Sequence, residues 1–398
     1  MKKKRVVGVF TGNRAEYGLQ LPILKAIAAH PDLEYRLVVS GAHLDKNFGN
    51  TLSEIQKDGF TVHAEVKIDM EEDTLYATAA AIGSGVISVA KALSEVNPDL
   101  WVVYADRFEG FAAIIAGTQM NFPTAHIEGG DITEGGALDD SVRHAMSKLA
   151  HLHFTTNENA ANRVRTMGEE DWRVFNVGFP AIDLIAAGLY AKPEELVAKY
   201  NLTLKSPVVL FTQHSVTTQF DQAAAQLEPS LKALEALAKK GVQIIVTYPN
   251  NDAGGRAIIT RLESWFKEVN HPLIQLHKSL GRYNYHGVLA LAGRTGIGAC
   301  VGNSSSGIKE TPAFGCPTVD IGSRQAGRLR TTNVLNADYD TDQIFSAISK
   351  CLEDKAFRQQ CAICLNPYGV GDAGKKIAEV LATIPLDKKL ITKRMTIE

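Results

Sequence analysis

The 398-residue sequence predicts an α/β protein built from two doubly wound, Rossmann-like domains facing a cleft. Short apolar runs alternate with longer helical patterns almost throughout, as parallel βαβ units require. The alternation breaks once, around residues 183–206, and leaves two series each long enough for one domain. With 45% hydrophobic residues, a chain of this length buries substantial cores without staples.

Taken in order, the candidate strands of the first series are 5–10, 35–40, 100–104, 124–127, 151–155 and 174–177. Those of the second are 208–211, 243–247, 273–277, 297–301 and 318–321. Between them, leucine and alanine recur at three- and four-residue spacing over 19–29, 74–94, 139–149, 220–240 and 255–269, which predicts helices. Residues 183–200 read as one helix and 201–207 as a linker. The expected domains are 1–185, 206–371, and a C-terminal helix and tail, 372–398, packing back on the first domain. Strand ends of open α/β sheets hold ligands, so the loops leaving these strands are the places to look.

Several signals are set aside. Gly369-Val370-Gly371-Asp372-Ala373-Gly374 matches G-x-G-x-x-G, but no strand precedes it, and Asp372 reads as a helix N-cap. The run Gly302–Gly307 is followed by Ile308 where a P-loop needs lysine. His151 and His153 share one side of a strand, yet lack a supporting ligand and read as packed; no metal is expected. Five cysteines form an odd set suited to a reducing compartment, and Cys361/Cys364 has no second pair to complete a zinc site. The 42 basic and 44 acidic residues remove any whole-chain case for nucleic acid or a membrane surface. The apolar run 6–10 is too short for a signal peptide, and no apolar run is expected to approach a bilayer span of ~20 residues, so a cytoplasmic protein is expected. The charged tail 385–398 reads as partly loose.

Three strand-exit loops are too polar for plain connections. Thr11-Gly12-Asn13-Arg14-Ala15-Glu16-Tyr17-Gly18 joins a strand to a helix. Gly12 permits a tight turn and Arg14 can meet an anion near the helix start, although the loop also reads as a turn with an exposed arginine. In the second group, Asp106 and Arg107 leave one strand, Glu128-Gly129-Gly130-Asp131 leaves the next, and Asp139-Asp140-Ser141-Val142-Arg143-His144 opens a helix. Neighbouring parallel strands gather Asp106, Glu128 and Asp139 at one edge, which is how an enzyme sets an acid and a base apart. Helix-start acidity and i,i+4 pairing explain Asp140 well and Glu128 poorly. The third group is Gly302-Asn303-Ser304-Ser305-Ser306-Gly307 with Glu310, then Arg324, Arg328 and Arg330. Serines and bare amides opening a helix form a phosphate cradle, the arginines supply positive charge, and Glu310 can accept from a ribose.

Jointly, in order and spacing, these blocks resemble the hydrolysing UDP-N-acetylglucosamine 2-epimerases of the bacterial sialic-acid and legionaminic-acid type, from about residue 5 to 385. The resemblance implies a glycosyltransferase B-like fold with UDP-sugar in the cleft and the helix 373–381 crossing back to the first domain. It implies that Arg14, His214, Ser304, Ser305, Glu310 and Arg324 contact the nucleotide diphosphate and that Asn250 lines the sugar site. Asp106, Glu128 and Asp139 would be the acid/base set, with Arg107 and Arg143 beside them and His214 aiding departure of UDP. The implied reaction eliminates UDP to a 2-acetamidoglucal and hydrates it, giving N-acetylmannosamine for nonulosonic (sialic) acid synthesis, with no cofactor. The implied partner is the small-molecule UDP-sugar, and the implied assembly a homodimer or homotetramer. The sequence leaves open a 2,4-diacetamido-2,4,6-trideoxy sugar as substrate, because the UDP-binding blocks do not read C4 and C6. A non-hydrolysing epimerase, a glycosyltransferase and a non-catalytic UDP-sugar sensor are the remaining rivals.

Overall fold

The computed structural model describes residues 3–44, 52–68, 74–133, 138–250 and 252–397. Their strands fall into two all-parallel sheets. The first contains β1 (Arg5–Thr11), β2 (Leu33–Ser40), β3 (Val62–Val66), β4 (Leu100–Tyr104), β5 (Thr124–Ile127), β6 (Leu152–Thr155) and β7 (Val174–Asn176). Its order is β3-β2-β1-β4-β5-β6-β7, so the winding reverses beside β1. The second contains β8 (Val208–Thr212), β9 (Gln243–Thr247), β10 (Ile274–His277), β11 (Gly298–Gly302), β12 (Thr318–Ile321) and β13 (Val334–Ala337). Its order is β10-β9-β8-β11-β12-β13, reversing beside β8. Both sheets are doubly wound α/β sheets with the switch at their first strand, as the alternation in the sequence predicts.

Two strands escape the sequence reading, and both are sheet edges. Val62–Val66 alternates half-buried and exposed positions through His63 and Glu65, and Val334–Ala337 buries only Ala337. Central strands of a parallel sheet are covered on both faces and read as continuous apolar runs; an edge strand is not held to that pattern. The central strands β4, β5, β8 and β9 are buried at every position.

One unit comprises Met1–Ile132, Leu138–Asp183 and Tyr368–Glu398. Its core gathers Phe10, Val38, Trp101, Val103, Ile114 and Met146 under the helices Leu75–Val96 and Phe108–Gln119. The stretch Tyr76–Val96 has the length and hydropathy of a membrane span, contrary to the expectation that no such run exists. It is a flanking helix of the sheet instead, with Ala81, Val89, Leu93 and Val96 set into that core. The other unit comprises Thr133–Ala137 and Leu184–Pro367, with a core of Phe211, Leu227, Leu234, Ile244, Val246, Trp265 and Ile344.

The helix expected over 183–200 is two helices, Ala181–Ala186 and Pro193–Tyr200. Gly188 takes a left-handed φ of 68° and Pro193 can only open a helix, so the run cannot continue. Residues 186–205, expected as a helix end and linker, count with the second unit. The final long helix, Ala373–Thr383, packs on Arg14–Ala29 within the first unit. Asp372 starts it without a side-chain cap; the Asp183 carboxylate instead accepts from the Ala373 and Gly374 N–H groups at 3.0 and 2.7 Å. The tail beyond it is not loose: Asp387 caps a further turn, Lys388–Ile391, whose Leu390 is buried.

Candidate active site

At the carboxyl edge of the first sheet, β4 and β5 run in register with Tyr104 beside Ile127. The next residues, Ala105 and Glu128, both have left-handed backbones, with φ of 55° and 65°. Every other described non-glycine residue with positive φ is an asparagine, a residue type that tolerates it. Such strain persists only where the surroundings enforce it, and clusters at functional sites. Here the enforcement is visible. The Ala105 carbonyl accepts from Nε2 of the buried His126 at 2.6 Å, and the His126 Nδ1 faces Ser147 Oγ at 3.1 Å. Burial holds the His126 pKa down to about 3, so the ring is neutral and Nε2 carries its proton. The Glu128 N–H donates to Phe154 O, and the two following glycines are packed so closely that a Cβ at Gly130 would meet Ala160 O at 2.2 Å.

These turns present the carboxylates. Glu128 is buried, and its Oε1 accepts from the Tyr104 hydroxyl at 2.9 Å. Burial first, then the charge of Glu128, raise the Tyr104 pKa well above its ordinary value, so the phenol stays a donor. Asp106, two residues past the end of the neighbouring strand β4, is ion-paired with Arg143. Arg143 is itself buried, bonded also to Asp140 at 3.1 Å and to the Asp131 carbonyl at 2.8 Å. Asp131 accepts from Asn157 at 3.3 Å. Asp140, which the sequence reading explains as a helix-start residue, is thus a buried anchor for Arg143, whereas Asp139 on the same first turn is exposed. Arg107 is half exposed and contacts Glu109 at 3.3 Å.

The first loop differs from its sequence reading in one respect. Gly12 does not serve a left-handed turn; a Cβ there would meet Glu109 Cβ at 2.9 Å, so the glycine admits the buried Glu109 side chain. Asn13 caps the helix that begins at Arg14. The Arg14 side chain lies outside the described residues. Glu16 is buried against Gln20 at 2.7 Å, and burial followed by the nearby Glu109 raises its pKa well above the ordinary carboxylate value.

At the carboxyl edge of the second sheet the switch lies between β8 and β11, and one buried side chain ties the two strand ends together. Asn303 Oδ1 accepts from the His214 N–H at 2.6 Å, and Asn303 Nδ2 donates to the His214 carbonyl at 2.9 Å. The Asn303 carbonyl accepts from Arg324 Nη1 at 3.2 Å and from the buried Gln325 at 2.8 Å. His214 Nδ1 accepts from the Asn250 N–H at 3.0 Å, which leaves Nε2 as the protonated nitrogen. The ring keeps some exposed surface, yet burial of the rest and then the charge of Arg324 lower its pKa to about 3. Arg324 also faces Asp252 at 3.6 Å, and Asp252 accepts from the Asn250 side chain at 2.5 Å. His214, Asn250, Ser304, Ser305 and Arg324 are therefore neighbours around one scaffold.

Two expectations for this edge change. The helix after the serines is two single turns, Ser306–Lys309 and Thr311–Phe314, interrupted where Pro312 denies the backbone an N–H. A long-helix dipole is therefore not available to the cradle; what remains is hydroxyls, with Ser304 Oγ 3.0 Å from Ser306 Oγ, itself 2.7 Å from the Tyr285 hydroxyl. Arg330 is engaged by the buried Asp320 at 2.5 Å and so supports its own loop, despite the burial that raises Asp320 to about 6. Glu310 is buried, with Oε2 3.1 Å from His286 Nε2. His151 and His153 are packed as expected: His151 bonds Thr124 at 2.9 Å and His153 bonds Glu169 at 2.9 Å.

The family model described as UDP-N-acetylglucosamine 2-epimerase matches residues 25–382. The chain is 32% identical over 383 residues to UDP-N,N'-diacetylbacillosamine 2-epimerase (hydrolyzing) of Legionella pneumophila, covering 96% of this chain and 97% of that protein. It is 33% identical over 352 residues to UDP-N-acetylglucosamine 2-epimerase of Neisseria meningitidis, covering 87% of each. Among solved structures, the UDP-GlcNAc 2-epimerase from Neisseria meningitidis bound to UDP-GlcNAc superposes with a TM-score of 0.79 at 19% identity, over 95% of this chain and 99% of that one.

Proposed function

The chain belongs to the UDP-N-acetylglucosamine 2-epimerase family, in its hydrolysing group, and from that premise we propose that it converts UDP-N-acetylglucosamine and water to N-acetylmannosamine and UDP. The C1–O bond breaks and its electron pair leaves with UDP. A carboxylate takes the C2 proton, and the C2–H electron pair becomes the C1=C2 bond of a 2-acetamidoglucal. Water then adds at C1, losing a proton to a carboxylate, while a proton is delivered to the opposite face of C2.

The observation that carries this reading is the strained pair of adjacent strand ends, Ala105 and Glu128, which offers one carboxylate held by a phenol beside another held by a guanidinium. Two carboxyl groups in unlike surroundings suit a reaction with one proton removal and one proton delivery. Asp106, Glu128 and Asp139 are the proposed acid/base set, with Arg107 and Arg143 neutralising charge beside them. The diphosphate is assigned to His214 Nε2–H, Arg324, Ser304, Ser305 and Arg14, the ribose to Glu310, and the sugar to Asn250. Neutral His214 donates a hydrogen bond to the departing diphosphate and does not supply its proton. The five free cysteines fit a reducing cytoplasm, the product suits nonulosonic-acid synthesis, and a homodimer or homotetramer is proposed.

Proton NMR of the protein with UDP-N-acetylglucosamine in D2O tests the reading. Free UDP and N-acetylmannosamine deuterated at C2 are expected. Intact UDP-N-acetylmannosamine points to the non-hydrolysing reaction, and transfer only on adding an acceptor points to a glycosyltransferase. A second reading has one observation in its favour: the Legionella relative, matched along nearly its whole length, is named for a diacetamido sugar. Turnover of that UDP-sugar alone, with UDP-N-acetylglucosamine untouched, selects it.

A further inference from the structure

The helix Leu138–Leu149 carries Asp139, Asp140 and Arg143 at its first turn and a half. Its other end, roughly 18 Å away at 1.5 Å per residue, leaves carbonyls that no intrahelical N–H reaches. Thr118 Oγ1 donates to Leu149 O at 3.2 Å, and one side chain from the far end of the sequence meets the carbonyls around it. Lys393 Nζ lies 2.6 Å from Lys148 O, 2.7 Å from Ala150 O and 3.5 Å from Ser147 O. An ammonium in that position both satisfies the acceptors and opposes the negative end of the helix dipole.

The ammonium is held from behind. Glu169, with no exposed side-chain surface, receives Lys393 at 2.8 Å, Lys148 at 2.5 Å and His153 at 2.9 Å. Burial pushes the Glu169 carboxyl up, but His153, Lys148 and Lys393 outweigh it and bring it down to about 2. The chain on either side of Lys393 is captured through its backbone. Arg173, fully buried, donates to Leu390 O at 2.6 Å, Lys389 O at 2.8 Å and Thr392 O at 3.1 Å, and Thr396 N donates to Gly168 O at 3.1 Å. Arg173 also bonds Glu170 at 2.8 Å and His151 O at 3.2 Å, and losing the three carbonyls of the distant segment would leave its remaining N–H groups buried and unsatisfied.

We propose that the segment from Asp387 to Ile397 is a strap that fixes the catalytic helix from its C-terminal end, with Lys393 as a positioning residue for Asp139 and Arg143. This rests on the reaction assigned above. A slackened helix end lets the first turn shift against Asp106, and small misplacements of reacting groups cost large factors in rate.

The test compares the full-length parent with Lys393→Met, which keeps the length of the side chain and removes its charge, and with Lys393→Arg. Lys393→Met is expected to lower kcat about tenfold with KM within twofold, and Lys393→Arg to recover most of it. Amide hydrogen exchange over 138–149 is expected to rise at least fivefold in Lys393→Met, with exchange over 298–310 unchanged. Unchanged exchange over 138–149, or a kcat within twofold of the parent, overturns the strap; a loss of melting temperature alone, at full specific activity, does the same. If the parent turns over no UDP-sugar, the reaction assignment fails by itself, and the exchange comparison, which needs no substrate, still decides for or against the strap.

Discussion

The two sheet edges solve different problems with the same topology. Both lie at the carboxyl edge of a doubly wound sheet, yet the first, one strand beyond its switch point, gathers paired charges and strained backbone, and the second, at its switch point, gathers donors of fixed charge state around a neutral, unstrained hub. Ala105 and Glu128 occupy left-handed conformations that ordinary side chains resist; at the matching place in the second unit, the left-handed residue is Gly302, for which φ of 121° carries no such penalty. Arg143 spends its guanidinium on Asp106 and Asp140, while Asn303 joins His214, Arg324 and Gln325 without any charge of its own. An edge that moves protons needs groups whose ionisation is balanced against neighbours. An edge that only recognises a fixed anion is better served by donors that do not titrate.

The largest expected effect breaks the first edge. Glu128→Gln keeps the size of the side chain and its bond to Tyr104, while removing the proton acceptor. Turnover should fall about 10³-fold, roughly 4 kcal/mol in the barrier, because acid/base groups contribute on the order of 10²–10⁴. UDP affinity measured by calorimetry should stay within threefold of the parent. Equal losses in UDP affinity and turnover would place Glu128 in nucleotide binding and dissolve the contrast between the edges.

Next comes the glycine at the second edge. A Cβ at Gly302 would meet Thr212 O at 2.0 Å, and the residue would carry a left-handed φ as well. Gly302→Ala should destabilise the protein by about 3 kcal/mol, combining the backbone penalty with the clash. Chemical unfolding checks it. A loss below about 1 kcal/mol would mean that this edge relaxes freely and is not the rigid scaffold its hydrogen bonds describe.

These contrasts mark what the sequence makes legible. Glu128 stands out because no helix start or pairing rule accounts for an acid leaving a buried strand, and the structure puts it at the strained turn. Ala105 gives no signal at all, since its importance is a backbone angle enforced by His126 and Ser147 from other elements. Asp140 is discounted from sequence because local rules explain it, and local rules say nothing of a buried partner such as Arg143. Asn303 sits inside the Gly302–Gly307 run, but its bonds to His214 join residues 89 apart. The tail is the same case: its charges look solvated until Arg173 and Glu169, more than 200 residues earlier, are found beneath it. Periodicity reads central strands and core helices well; long-range polar pairing leaves no local trace.

The smallest expected effect tests whether His214 is neutral when it binds. Its pKa of about 3 lies below the unfolded value near 6.5, so between those values the unfolded chain holds the extra proton. The stability this group contributes is therefore complete above pH 6.5 and is lost as pH falls toward 3. His43 and His151, both lowered to about 4 by burial, and His126, lowered to about 3, act in the same direction, so unfolding should take up protons between pH 6.5 and 4. At the site itself the consequence is opposite in kind: across pH 5.5–8 the ring does not change charge, and its Nε2–H donates throughout. His214→Gln, which can offer a neutral N–H, should hold UDP affinity within about threefold, whereas His214→Ala should lose about tenfold, ~1.4 kcal/mol, the worth of one hydrogen bond to a charged group. Calorimetric UDP titrations at several pH values should run parallel for the parent and His214→Gln, both carrying only the titration of UDP itself. A step near pH 6 present in the parent and absent from His214→Gln would show an imidazolium at the diphosphate, and the second edge would then share the titrating character of the first.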